Sequence, residues 1–251
     1  MAEIGRLTGG ATALVTGASS GIGAAVAEAI VGRGGRVVGV ARRRAPLEEM
    51  ADRLGPAFLP FPLDIADAAA VAALPAALPE DWRDVAVLVN NAGHDAGGRE
   101  RFDDCDADDL ARIVETNVIG LIRMSRALAP SMLARGGGDI VNVGSTSGHF
   151  AIQNDAAYVA SKFALNGLSR ALRADYEGMG LRIVEVSPGV VQTGFAEARY
   201  HGDAEKADAF YGRFQAVLTA ADVARAILFA IEQPPNVTVG ELLMFPTHGP
   251  G

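Results

Sequence analysis

Short β-branched runs alternate with longer stretches of helical periodicity along this chain, and that rhythm admits few folds. The runs are Ala11–Thr16, Arg36–Ala41, a third near Phe58–Phe61, Val85–Asn90, Asp139–Gly144, Leu181–Ser187 and an edge run near Glu241–Phe245. The fourth, Val85-Ala86-Val87-Leu88-Val89, is apolar throughout, as suits a strand covered on both faces. Between the runs, Leu110, Ile113, Val114, Val118, Leu121 and Met124 fall on one stripe of a long helix. Tyr158, Phe163 or Leu165, and Leu168 to Leu172 mark another. Strands alternating with helices imply crossover units. The expected fold is therefore α/β: a doubly wound, mostly parallel seven-stranded sheet with helices on both faces.

No repeat or linker divides the 251 residues, which suit one domain over 1–251. The segment 190–218 breaks the rhythm. It is polar, holds Gly194 and Gly202, and precedes a last helix capped by Thr219 or Asp222. A long connection in a compact domain points to a lid over a substrate. A net charge of -8 argues against nucleic acid, whose binding draws on counterion release by cationic side chains. The single cysteine, Cys105, excludes an intrachain disulfide and fits a reducing cytoplasm. No Cys and His cluster has metal-ligand spacing. Met1–Gly10 has no apolar core of a secretory signal. The most apolar stretch, Ala68–Leu78, is broken by Pro75 and falls short of the ~20 residues that a membrane span needs.

The first strand runs into Thr16-Gly17-Ala18-Ser19-Ser20-Gly21-Ile22-Gly23, and a helix follows. Gly17 can turn the chain sharply, Gly21 can let a diphosphate approach the backbone, and Gly23 can bring the helix close to the sheet. The helix N-terminus then offers free N–H groups and a positive dipole to an anion. The bland alternative is a glycine-rich turn without a ligand. After the second strand an acid would bind ribose hydroxyls and repel a 2′-phosphate. Here Ala41 is followed by Arg42-Arg43-Arg44, and guanidinium groups suit a phosphate dianion. These observations favour NADP(H), with a solvated basic loop as the alternative. Asp64, after the third strand, is a candidate acceptor for the adenine amino group, or a cap for the helix starting near Asp67.

Tyr158 and Lys162 lie four residues apart, on one face of a helix. An ammonium ion beside a phenol stabilises the phenolate and lowers its pKa from about 10 toward neutrality, where it can exchange a proton with a substrate oxygen. Ser145, ending the fifth strand, can hold the same oxygen. Asn117 lies inside the long helix, where a buried Asn needs partners such as a helix carbonyl and a water.

Taken together these motifs, with Asn90-Asn91-Ala92-Gly93 and Pro188-Gly189 with Thr193, resemble a short-chain dehydrogenase/reductase over nearly the whole chain. The resemblance implies a Rossmann-type sheet and a set of roles. Tyr158 would be the general acid in reduction and base in oxidation, tuned by Lys162, which would also bind the nicotinamide ribose. Ser145 would orient the carbonyl, and Asn117 would hold a water in a proton relay. Gly17, Ser19, Ser20, Gly21, Ile22, Gly23, Arg42, Arg43, Asp64, Ile65, Ala92, Pro188, Gly189, Val191 and Thr193 would bind the cofactor. Asn91 and Gly93 would line its path. Gly144 stands where many relatives carry serine, with little consequence expected. The later motifs, Phe195 to Tyr200 and Pro235 to Thr247, resemble the NADP-dependent 3-hydroxy acid or serine dehydrogenase branch. The family also implies a homotetramer, or else a dimer, with the helices near Ala107–Ala134 and Ala156–Gly178 pairing between copies.

Substrate contacts are expected from His94, His149, Phe150, Gln153 and the lid around Arg199 to His201. Arg199 would pair with a carboxylate or sulfonate, unless it is simply solvated. The expected reaction is hydride transfer between NADP(H) and a small alcohol or carbonyl: a 3-hydroxy acid, hydroxy amino acid, aldehyde or ketone. A reductase of larger ketones or acyl thioesters is the rival within this chemistry. A catalytically silent NADP(H) sensor and a cofactor-free scaffold are rivals outside it. Loss of Tyr158, Lys162 or Ser145, or of the glycine turn, would have favoured those, and all are intact.

Overall fold

The computed structural model describes residues 11–97 and 100–247. The expectation for Met1–Gly10 lies outside them. Seven strands form one sheet: β1 (Thr12–Thr16), β2 (Arg36–Ala41), β3 (Phe58–Pro62), β4 (Val85–Asn90), β5 (Gly138–Val143), β6 (Leu181–Pro188) and β9 (Glu241–Met244). Their order is β3-β2-β1-β4-β5-β6-β9, and every pairing is parallel. The chain first winds from β1 toward β3, then restarts beside β1 with β4. The crevice between β1 and β4 is thus the switch point where such sheets take ligands.

Side chains alternate between two cores, as the period of a strand requires. Ala13, Val15, Val87 and Val89 face α1 (Gly21–Val31), α2 (Arg44–Leu54) and α9 (Ala220–Ile231). Leu14, Val38, Leu88 and Ile140 face α3 (Ala68–Ala77) and α5 (Leu121–Ala134). Helix starts follow side-chain chemistry. Asp67 accepts the Ala69 and Ala70 N–H groups and opens α3, so it, not Asp64, is the cap. Asp106 does the same for α4 (Ala107–Val114). Thr219 and Asp222 cap α9 reciprocally, so both expected residues share the task.

Two expectations change. The single long helix is interrupted by a π turn at Glu115–Gly120 between α4 and α5. A wider turn shifts the apolar stripe by about 100° per added residue. Val114 is accordingly exposed, whereas Ile113, Leu121 and Met124 are buried. On α6 (Ala156–Asp175), Leu165 faces the core and Phe163 faces out. The segment after β6 is more ordered than its polarity suggested. β7 (Val191–Gln192) pairs with β8 (Leu218–Thr219) and ties its two ends together. Between them α7 (Phe195–Arg199) and α8 (Ala204–Tyr211) share a small core of Ala196, Ala207 and Phe210. Among the described residues, no helix is long and apolar enough to cross a membrane.

Candidate active site and dinucleotide cleft

A cleft of about 740 Å³ opens at the carboxyl ends of β1, β4 and β5. Its first wall is the turn from β1 into α1. Gly17 has φ +67 and Gly21 φ +56, both in the left-handed region that favours glycine. A Cβ on Gly23 would sit 2.3 Å from the Gly17 carbonyl oxygen, so Gly23 closes the turn on itself. Thr16 and Asn91 brace it: Thr16 Oγ1 accepts from the Asn91 and Ala92 N–H groups, and Asn91 Nδ2 donates to the Thr16 carbonyl at 2.9 Å. The Asn91 amide is therefore committed to the turn, though the residue also lines the cleft.

The first turn of α1 contains no acid, so its N–H groups and dipole face the cleft uncompensated. Ser19, Ser20, Gly21 and Ile22 line the same wall, and Pro188, Gly189, Val191 and Thr193 stand opposite. Arg42 and Arg43 lie exposed at the far end and pair with no carboxylate among the described residues. Asp64, Ile65, Ala92 and Gly93 complete that end. The side chain of Asp64 accepts the Ala66 N–H at 3.0 Å. This donor set, an anion-binding helix end followed by free guanidinium groups, fits a phosphorylated dinucleotide.

Tyr158, Lys162 and Ser145 line the other end. Tyr158 and Lys162 are neighbours on α6, and the Ser145 hydroxyl is placed to favour the ionised Tyr158 phenol. Lys162 Nζ donates to the Val143 carbonyl at 2.9 Å and lies 5.5 Å from the Tyr158 ring centroid. The expected lowering of the Tyr158 pKa is not what this geometry gives. Burial holds it well above its ordinary value, with the Ser145 hydroxyl and Arg199 pulling the other way. Burial also lowers Lys162 to about 8, opposed by the Glu185 and Asp95 carboxylates.

Asn117 sits in the π turn, buried. Its amide donates to the His94 carbonyl at 2.9 Å and to Ser161 Oγ at 3.1 Å, and its oxygen accepts the His94 N–H at 2.9 Å. Its protein partners are thus a loop backbone and Ser161, the residue before Lys162, and no helix carbonyl is among them. Gly93 makes room, since a Cβ there would meet Asn117 Oδ1 at 3.0 Å.

Other expectations are corrected. His149 does not line the cleft; its Nε2 lies 3.0 Å from Glu241 Oε1 on β9. Phe150 is exposed and leans toward Phe245. Gln153 is exposed and borders a separate hollow with Tyr200 and Lys206. His94 does line the cleft. Arg199 also lines it, but is neither solvated nor free: it is buried and paired with Asp95, Nε to Oδ2 2.5 Å. Gly144 is not a neutral departure. A Cβ there would fall 2.3 Å from Ser187 Oγ and 2.7 Å from Glu185 Oε1.

Sequence reasoning missed Asp95, Ser161, Glu185 and Tyr211. The Tyr211 hydroxyl accepts the Thr193 N–H at 3.2 Å and donates to the Thr193 carbonyl at 2.8 Å, holding α8 to the cleft wall. Ser161, next to Lys162, and Asp95, next to His94, had neighbours that could have drawn notice.

Comparison with known proteins agrees with this geometry. Residues 11–204 match the family described as short chain dehydrogenase. The chain is 38% identical over 247 residues to an NADP-dependent 3-hydroxy acid dehydrogenase of Schizosaccharomyces pombe, covering 96% of this chain and 95% of that protein. It is 35% identical over 234 residues to the NADP-dependent 3-hydroxy acid dehydrogenase YdfG of Escherichia coli K12, covering 93% and 94%. The closed form of a serine dehydrogenase complexed with NADP+ superposes with a TM-score of 0.90 at 34% identity, covering 93% and 94%. On its sheet, its cleft and this match, the chain belongs to the short-chain dehydrogenase/reductase family.

Proposed function

We propose that the protein is an NADP(H)-dependent oxidoreductase that interconverts a small alcohol and its carbonyl compound. The observation that carries this reading is the placement of Tyr158, Ser145 and Lys162 in one cleft with the glycine-rich turn and with Arg42 and Arg43. The relatives named above support the cofactor and the substrate class. The nicotinamide, when bound, supplies or accepts the hydride.

The chain's own residues do the rest. Gly17 to Ile22 and the α1 N-terminus would bind the diphosphate, with Pro188 to Thr193 across from them. Arg42 and Arg43 would bind the 2′-phosphate. Ser145 orients the substrate oxygen, and Tyr158 gives it a proton in reduction or takes one in oxidation. Lys162 would bind the nicotinamide ribose. Its ammonium also favours the phenolate, against the burial that otherwise keeps Tyr158 protonated. Asn117 and Ser161 hold the backbone beside the pair. Residues 190–218 act as the lid, with Phe195 lying 5.8 Å from the Tyr158 ring.

A homotetramer, or a dimer, goes with this reading. Ile122 on α5 and Phe163 on α6 are exposed apolar side chains of the kind that pairing helices cover. So does a cytoplasmic setting, given the single free cysteine.

The direct test is absorbance at the reduced-nicotinamide band with a panel of small alcohols and carbonyls. NADP+ reduction by small hydroxy substrates, with NAD+ much poorer, is the expected result. Equal efficiency with NAD+, or turnover only of large ketones or acyl thioesters, would contradict it.

A further inference from the structure

The cations beside Tyr158 and Lys162 are met by buried carboxylates. Glu185, fully buried on β6, faces Lys162 and is held by Asn166 Nδ2 at 3.2 Å and Ser187 Oγ at 2.8 Å. Asp95 meets Arg199, and both side chains are almost wholly buried. Asp155, also buried, adds a further negative charge that acts on Tyr158. Burial and the nearby Arg42 lower the His94 pKa, so that ring adds no positive charge at neutral pH.

Arg199 nevertheless borders the place where a substrate must lie. Its guanidinium sits between two aromatic rings, 5.3 Å from Phe195 and 5.0 Å from Phe210. Phe195 in turn packs on Tyr158, so the Asp95–Arg199 pair stands one ring away from the reacting hydroxyl. The second oxygen of Asp95, Oδ1, has no hydrogen-bond partner among the described residues.

We propose that Asp95 and Arg199 set the charge class of the substrate, so that the site takes small alcohols of zero net charge, uncharged or zwitterionic, in preference to anionic hydroxy acids. The inference rests on the dehydrogenase reading and narrows it. A carboxylate entering the cleft must share Arg199 with Asp95 and sit in the field of that acid. Because the Asp95 and Arg199 side chains are themselves buried, that repulsion is less screened than between surface charges. A zwitterion brings an ammonium group for Asp95 along with a carboxylate for Arg199. An uncharged alcohol avoids the conflict.

The test uses NADP+ reduction by the full chain with 3-hydroxybutyrate, its methyl ester and serine. The wild type should show a higher kcat/KM for the ester and for serine than for the acid. Asp95→Asn frees Arg199 and should raise the acid-to-ester ratio by about tenfold, the worth of one hydrogen bond to a charged group. Arg199→Gln leaves Asp95 uncompensated and should move the ratio the opposite way. The ratio compares two substrates on one preparation, so loss of folded protein does not move it. A wild type that prefers the acid overturns the proposal, even if neither variant folds. So do two variants whose ratios stay at the wild-type value. Absence of NADP+ reduction with these three compounds, where other small alcohols are turned over, overturns the inference alone; absence across the whole panel of small alcohols and carbonyls removes the dehydrogenase reading with it.

Discussion

At Lys162, burial and a carboxylate pull in opposite directions, and burial wins: the ammonium pKa falls from 10.5 to about 8. A lysine held low binds fewer protons folded than unfolded over that interval. Stability from this group therefore rises as pH climbs through about 8 and levels off near 10.5. Denaturant midpoints at pH 7 and 9.5 should show a gain in the wild type that Lys162→Met lacks. Equal pH dependence in the two proteins would contradict the assignment. Arg42 and Arg43 make a separate prediction. Replacing both with alanine should reduce the NADP-over-NAD preference about 10- to 100-fold, as charge-assisted phosphate bonds are lost. Steady-state kinetics with both cofactors would check it. These arginines were legible because their place after β2 carries meaning in this fold. Asp95 and Glu185 were not legible. A buried acid looks like a surface acid until tertiary packing shows its partner.

Among the elements, the π turn departs furthest from what periodicity could reveal. Apolar spacing from Leu110 to Met124 reads as one helix, because one wide turn leaves a stripe that still matches in part. The turn matters because it sets Asn117 against the His94 loop on one side and Ser161 on the other. Asn117→Ala removes three hydrogen bonds at once. It should cost about 2–3 kcal/mol and lower Tm by roughly 5–10 °C. Amide exchange at His94 should rise as well. A variant with unchanged Tm and an equally protected His94 amide would show the network to be dispensable. The two helices in the segment after β6 were hidden for a related reason. Its composition is polar, but Ala196, Ala207 and Phe210 are spaced to bury one small cluster between two short helices. All seven sheet strands, by contrast, were placed to within a residue or so, because uniformly apolar runs such as Val85 to Val89 have few alternatives.

At the scale of the molecule, the sheet order brings residues far apart in sequence to one crevice. Gly17 leaves β1, Asn91 leaves β4 and Ser145 leaves β5, and α6 returns Tyr158 and Lys162 to the same place. The fold, and the meeting of these residues in one cleft, were readable from the order of these motifs. The outer wall of the cleft was not, since His149 turns to Glu241 and Gln153 borders a hollow that adjoins the cleft at Ile152 and Phe210. The account divides labour in a way that one variant can expose: the turn and arginines hold the dinucleotide, and the phenol handles the proton. Tyr158→Phe should bind NADPH, followed by its fluorescence, within a few-fold of the wild type. Its kcat should fall by about 100- to 10,000-fold, the usual worth of a positioned acid–base group. Turnover near the wild-type rate in that variant, with cofactor bound, would contradict the proposed role of Tyr158.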